Sequence, residues 1–256
     1  MAMLSEIAGE KRMTQPAMGA GSTVGLAVTM MLGSLGVSLP YVALPTLSEA
    51  FGVSLQAVQW IVTSYLLAVT TLVVGVGRLG DMFGPRRVLI AGLSLFMLAT
   101  VACAAAPTFW VLLAGRVLQG AGAAALMALT LVIARQTVGK EKMGRVMGLL
   151  GTMSAIGTAL GPTLGGTLTA GFGWRAIFLA LIPISAISLA LVLISVRSTA
   201  AARRSTAAFD AGGTLLLGLS VALYALVERG FFSACDRGCH RFRICRAARR
   251  NTARSV

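Results

Sequence analysis

Acidic side chains are scarce in this 256-residue chain, which carries eight Asp and Glu against 22 Lys and Arg, a formal net charge of +14. Charged residues of both signs reach only 12%, where a soluble domain carries about 25%. That is too little polar surface to cover a fold in water, and it leaves a membrane protein as the fitting class. Histidine occurs once, so metal and acid–base chemistry built on imidazole has almost nothing to draw on. The four cysteines give no disulfide framework, because Cys103 lies in an apolar run and Cys235, Cys239 and Cys245 fall in the last 22 residues. The run Cys235-x-x-x-Cys239-His240-x-x-x-x-Cys245 holds zinc-type donors but follows no standard zinc spacing, and no metal is expected there. Neither a G-x-x-x-x-G-K-[ST] phosphate loop nor a G-x-S-x-G elbow is present, so no enzyme activity, cofactor or ATP-driven pumping is expected. Eight of the basic residues follow Val227, and most of the others sit in short linkers between apolar runs. That distribution argues against a nucleic-acid surface, for which a basic tail alone is weak evidence.

Apolar sequence is what the chain has in quantity: 57% hydrophobic residues and a mean hydropathy of +0.85. A helix needs about 20 apolar residues to cross a bilayer. On that ruler seven spans are expected, at roughly 22–47, 57–77, 88–106, 109–134, 145–170, 175–195 and 211–228. The fold class is therefore an all-α polytopic membrane protein. Residues 1–21 read as a cytoplasmic lead-in, 22–195 as a six-helix bundle and 196–210 as a cytoplasmic loop. A seventh transmembrane helix follows at 211–228, then an Arg/Cys-rich tail at 229–256. The composition changes abruptly after Gly230, and the tail reads as an aberrant or frame-shifted end.

Bases alternate from linker to linker, and basic residues in short loops mark the cytoplasmic side. With the N-terminus inside, the inner loops carry Lys11, Arg12, Arg78, Arg86, Arg87, Arg135, Lys140, Lys142, Arg145, Arg197, Arg203 and Arg204. The outer loops carry only Arg175. The expectation is a multi-pass protein of the inner (plasma) membrane with a cytoplasmic N-terminus. A spanning seventh helix would place the arginines of the tail outside, against that rule.

Three stretches stand out within this frame. The first, Gly77-Arg78-Leu79-Gly80-Asp81-Met82-Phe83-Gly84-Pro85-Arg86-Arg87, reads as a charged cytoplasmic hairpin, with Gly and Pro forcing a turn. The second is Arg116, well inside the fourth span, with Gln119 and Gly120 on the same helix face. A charge at that depth is costly and calls for a partner or a water-filled cavity. It fits a transport-pathway lining that binds an anion, a proton relay group or a carbonyl; it also fits an arginine that snorkels or ties helices together. The third is Gly157, Gly161 and Gly165, with Pro162 and Gly166 beside them, which line one face of the fifth span and allow close helix approach. Pro162 is expected to bend that helix. Pro40 and Pro45 point to a bent first span, lining a cavity or kinked for packing, and Trp60, Trp110 and Trp174 read as interfacial anchors, with Gln59 and Tyr65 beside Trp60 at the outer end of the second span.

Together these stretches resemble the major facilitator superfamily, and within it the fourteen-helix drug:proton antiporters. Gly77-x-Leu79-Gly80-Asp81-x-x-Gly84-Pro85-Arg86-Arg87 resembles the signature between helices two and three. Leu112-x-x-x-Arg116-x-x-Gln119-Gly120-x-Gly122-Ala123-Ala124 resembles that of helix four, whose arginine is implicated in proton coupling. Gly157-x-x-x-Gly161-Pro162-x-x-Gly165-Gly166 resembles the antiporter signature of helix five. Val42-Ala43-Leu44-Pro45, Trp174-Arg175-x-Ile177-Phe178 and Phe209-Asp210-x-x-Gly213 resemble the fourteen-helix branch in particular. That branch usually has an aspartate where Gly36 stands and an arginine where Met82 stands, and no carboxylate lies in the first six spans.

The resemblance implies an N-terminal facilitator bundle, the first of two that rock about a midplane site. It implies proton-coupled efflux of small organic molecules or drugs, with Arg116 and Gln119 in coupling or substrate contact. It further implies a gate latch at Gly77–Arg87 and a bend at Gly157–Gly166. The partners implied are the lipid bilayer, a small organic substrate, protons, and a second half or a homo-oligomer. The alternatives are a truncated membrane fragment that does not transport, or a half-transporter that needs a second chain.

Overall fold

A computed structural model describes residues 20–196, with side chains described for 21–139 and 141–196. The expected lead-in, cytoplasmic loop, seventh helix and tail lie outside the described residues. Among the described residues eight helical segments follow one another: α1 Ala20–Val42, α2 Leu44–Phe51, α3 Leu55–Val58, α4 Trp60–Phe83, α5 Pro85–Ala104, α6 Phe109–Thr137, α7 Lys140–Phe172 and α8 Arg175–Ser195. Among the described residues there is no strand.

The breaks between helices follow local chemistry. Gly52, Gly84 and Gly173 take φ of 61°, 92° and 81°, values that glycine adopts without penalty. Ser54 and Thr108 cap the next helices, accepting from the amides of Ala57 at 3.2 Å and Val111 at 3.4 Å. Pro45 and Pro85 stand in the first turn of α2 and α5, where a missing amide costs nothing.

Several expected boundaries move for the same reason. The hairpin expected at 78–87 is helical except at Gly84, so Gly77, Gly80 and Asp81 lie inside the last turns of α4. Solvated charges do not interrupt a helix; the positive φ of Gly84 does. The linker at 48–56 is largely helical, and the span expected at 22–47 is broken at Ala43. The linker at 135–144 shrinks to Val138 and Gly139.

Among the described residues, five helical stretches are long and apolar enough to cross a membrane: Gly21–Val42, Leu55–Phe83, Pro85–Ala104, Phe109–Thr137 and Arg175–Ser195. Helix α7, which holds the expected span 145–170, has 33 residues, about 50 Å at 1.5 Å per residue, but its Gly, Thr and Ser content dilutes its hydropathy. Its exposed hydroxyls are satisfied locally, as Thr152 donates to the Gly148 carbonyl at 2.8 Å and Thr158 to that of Ser154 at 3.1 Å.

Helix α1 packs along α7 and α8, and α6 packs along α4 and α5. Hydroxyls stitch the first set: Thr29 meets Ser188 at 2.8 Å, Ser34 meets Ser154 at 2.7 Å, and Ser38 donates to the Gly157 carbonyl at 3.1 Å. Bringing α4 and α5 close to α6 depends on residues without side chains. A Cβ on Gly120 would come within 2.6 Å of the Tyr65 carbonyl oxygen, and one on Gly122 within 2.8 Å of that of Gly92.

Two arginines tie α5 to α8 reciprocally. Arg86 in the first turn of α5 donates through Nη2 to the Leu193 carbonyl at 3.0 Å and through Nε to that of Val196. Arg175, the first residue of α8, donates to the Ala106 carbonyl just past α5 at 3.3 Å. Each cation stands at the unfavourable end of its own helix and at the favourable, carbonyl end of its neighbour. Arg86→Ala leaves two terminal carbonyls of α8 without that donor. It is expected to cost about 1 kcal/mol, a charge-assisted bond discounted for exposure, and to speed amide exchange at residues 193–196. Exchange mass spectrometry on wild type and Arg86→Ala checks this, and unchanged exchange at that turn sinks the assignment.

Candidate functional site

Arg116 is the eighth residue of α6 and has no solvent exposure. Its Nε donates to the Ile61 carbonyl at 3.0 Å, and Nη1 and Nη2 both donate to the Gly36 carbonyl at 3.1 Å. Nη1 also donates to Gln119 Oε1 at 2.6 Å. Gln119 in turn donates through Nε2 to Thr100 Oγ1 at 2.8 Å, and Thr100 donates to the Phe96 carbonyl at 2.7 Å. The guanidinium carbon lies 4.2 Å from the centre of the Tyr65 ring, whose hydroxyl donates to the Gly33 carbonyl at 3.1 Å. One buried network thus joins α1, α4, α5 and α6.

Every acceptor that Arg116 meets here is neutral. The acids among the described residues, Glu49, Asp81 and Glu141, are exposed at helix ends. A guanidinium stays protonated in proteins, so the network holds a fixed positive charge in the bundle interior. Carbonyl dipoles and the Tyr65 ring face solvate it in place of water. Such a group can attract an anion or a carbonyl and repel a cation, but it cannot itself release a proton.

The sequence brought Arg116, Gln119 and Gly120 together, and the structure divides their work. Arg116 and Gln119 share the network, whereas Gly120 is the point where the α4 backbone presses on α6. Two expectations change. Tyr65 is fully buried beneath Arg116 and is no interfacial residue. Trp174 is also buried, 5.3 Å from Phe51 and 6.3 Å from Phe178 between ring centres. Trp110 remains 74% exposed, as an anchor in the interface would be. Tyr65, Thr100 and Gly36 escaped notice as members of the network. The carbonyl of Gly36 leaves no trace in residue type, and a threonine in an apolar run reads as a helix residue satisfied by its own backbone.

The other two signatures divide by position. Gly77 has open space around a hypothetical Cβ, whereas one on Gly80 would strike Leu129 of α6. Gly84 supplies the positive φ, Arg86 holds α8, and Asp81 and Arg87 are exposed at that end of the bundle. Gly157, Gly161 and Gly165 all face α1: a Cβ would come within 2.7 Å of the Met31 carbonyl oxygen, collide with Ser38, and come within 2.8 Å of the Leu39 carbonyl oxygen, respectively. Gly166 has only ordinary contact with Val42 at 3.7 Å, and Pro162 is exposed on another face of a helix that continues through it.

A family model described as Major Facilitator Superfamily matches residues 26–235. The multidrug resistance protein Stp of Mycobacterium tuberculosis is 38% identical over 208 residues, 80% of this chain and 38% of Stp. The methylenomycin A resistance protein of Streptomyces coelicolor is 35% identical over 79% of this chain and 43% of its own length. The chain thus spans about two fifths of these relatives. Among solved structures, a human organic anion transporter, MFSD10 (TETRAN), superposes with a TM-score of 0.61 at 18% identity, over 77% of this chain and 52% of that one. A peptide transporter, POT, superposes with a TM-score of 0.64 at 15% identity, over 80% of this chain and 45% of that one. At such identities the likeness establishes the fold.

The glycines give a direct contrast. Gly161→Ala is expected to destabilise the bundle by about 1–3 kcal/mol, the usual cost of overpacking a close contact. Gly77→Ala, which meets nothing, is expected to be neutral or to stabilise by up to about 1 kcal/mol through helix propensity. Thermal unfolding of both variants in detergent checks this, and equal losses in the two would contradict the packing described.

Proposed function

Because the chain belongs to the major facilitator superfamily, we propose that it supplies one six-helix half of a secondary transporter that exports small organic molecules or drugs in exchange for protons. The observation that carries this reading is the Arg116 network, an enclosed positive charge in a bundle whose relatives include proteins named for drug resistance. In this reading Arg116 and Gln119 act in coupling or substrate contact, with Gly120 setting the distance between α4 and α6. Asp81 and Arg87, exposed at one end, serve as the latch of a cytoplasmic gate together with Gly77, Gly80, Gly84 and Arg86. The glycines of α7 let it roll on α1 as the bundle alternates in access. The run of basic inner loops supports an inner-membrane protein with its N-terminus in the cytoplasm.

Proton exchange needs a group that titrates, and no carboxylate or histidine is buried among the described residues. The reading therefore assigns the proton-carrying group to the substrate or to a second bundle. That second bundle comes from further sequence, another chain or a second copy, in keeping with the share of the relatives that this chain spans. The test is flux of a panel of lipophilic dyes in vesicles that hold only this chain, under an imposed proton gradient, with Arg116→Ala beside wild type. Gradient-driven flux that Arg116→Ala abolishes supports transport by an assembly of this chain. Absence of flux from protein shown to be inserted rejects self-sufficient transport, and flux equal in both proteins removes Arg116 from the mechanism.

A further inference from the structure

The one acceptor that takes two of the Arg116 donors is a backbone carbonyl, and the sequence four residues further on accounts for it. In an α-helix the carbonyl of residue i takes the amide hydrogen of residue i+4. For Gly36 that residue is Pro40, inside α1, which has no amide hydrogen and whose ring crowds the carbonyl four residues back. The carbonyl released in this way is the one to which Nη1 and Nη2 of Arg116 both donate. We infer that Pro40 is the positioning residue of Arg116: it denies the Gly36 carbonyl its helical partner, and that carbonyl holds the guanidinium inside the bundle.

Two further observations point the same way. Residue 36 is tightly enclosed, since a Cβ there would lie 3.0 Å from Tyr65 Oη and 3.1 Å from Phe96 Cζ, so a side chain would need both rings to give way by a few tenths of an ångström. The guanidinium therefore reaches bare backbone at an interior turn of α1 where Pro40 leaves a carbonyl to spare. The other prolines inside the described helices do nothing comparable. Pro162 and Pro183 release the carbonyls of Thr158 and Leu179, both exposed residues. Only the proline in α1 places its freed acceptor beside a buried cation.

The energetics favour this division of labour. An enclosed charge among neutral partners depends on each of them, and a carbonyl not already shared with an amide is the better acceptor. Restoring an amide at position 40 sets a competitor against Arg116 for the same oxygen. Arg116 then keeps Ile61 and Gln119 but loses its hold on α1. The assignment concerns how Arg116 is held, so it stands or falls apart from whether the chain transports.

The test uses the full chain in lipid nanodiscs with nitrogen-15-labelled arginine, and the Arg116 signals are identified by their loss in Arg116→Lys. In the wild type the Nη protons are expected to be resolved and slow to exchange. Pro40→Ala and Pro40→Val each restore the amide with a different side chain, and either one that folds suffices. Each is expected to raise Arg116 Nη proton exchange about tenfold or more, the loss of hydrogen bonds to a charged group. Pro183→Ala, the control for a general effect of helix straightening, is expected to leave it unchanged. A double-mutant cycle of Pro40→Ala with Arg116→Gln on thermal unfolding is expected to be non-additive. Exchange within twofold of wild type in the Pro40 variants, an equal rise in Pro183→Ala, or an additive cycle overturns the assignment.

Discussion

The bilayer core offers no water, so each polar group placed there has to be satisfied by the protein itself. That constraint organises this bundle more than hydrophobic burial does, because lipid is as apolar as leucine and leaves little to gain by hiding leucine from it. Helix α1 shows the outcome. Its Ser22, Thr29, Ser34 and Ser38 hydroxyls reach acceptors on α7 or α8, or on its own preceding turn. On another face, its Gly33 and Gly36 carbonyls receive Tyr65 and Arg116. One helix thereby serves both groups of neighbours, by hydroxyls on one side and by backbone oxygens on the other.

Close approach is the condition that makes these bonds possible. Short side chains such as serine reach across an interface only where the backbones nearly touch, and glycine at Gly157, Gly161 and Gly165 permits that against α1. The same holds where Gly120 and Gly122 admit α4 and α5 to α6. With α4 held against Gly120, the Ile61 carbonyl and the Tyr65 ring lie within reach of Arg116 one turn away. The small-residue motifs and the buried charge are therefore parts of one arrangement: the glycines set the distances, and the arginine uses them.

Much of this was legible in the sequence, and what was not has identifiable causes. Apolar runs located the bundle helices, and the stripe Gly157-Gly161-Gly165 announced a close contact that the structure places on α1. The turn that Gly and Pro announce at Gly77–Arg87 is confined to Gly84, because Gly77 and Gly80 keep helical backbone inside α4 and only the positive φ of Gly84 ends the i to i+4 bonds. The span at 145–170 follows from the length of its apolar run, although the Gly, Thr and Ser content of α7 weakens the hydropathy signal. Arg116 was conspicuous as a charge in an apolar run, but its partners were not. Carbonyl acceptors belong to every residue, and which of them are free depends on a proline four positions away. Tyr65 and Trp174 were assigned to the interface by their type, yet aromatic residues bury equally well where a cation or other rings await them, as at Arg116 and Phe51.

An enclosed arginine with no carboxylate partner among the described residues has an electrostatic consequence. Two unit charges 4 Å apart interact by about 4 kcal/mol at an effective dielectric of 20. A cationic substrate drawn near Arg116 would meet repulsion of that order, and an anion attraction of the same order. Gly36 sharpens the point, because it presents a carbonyl dipole to Arg116 where Tyr65 and Phe96 crowd the position of a Cβ. The dipole holds the cation without neutralising it, so the field survives beyond the network. A second bundle that completes a pathway with this one would then decide what passes. On the proposed reading, a carboxylate facing α6 would cancel the field and admit cations, and without one the field of Arg116 would favour negative or neutral cargo.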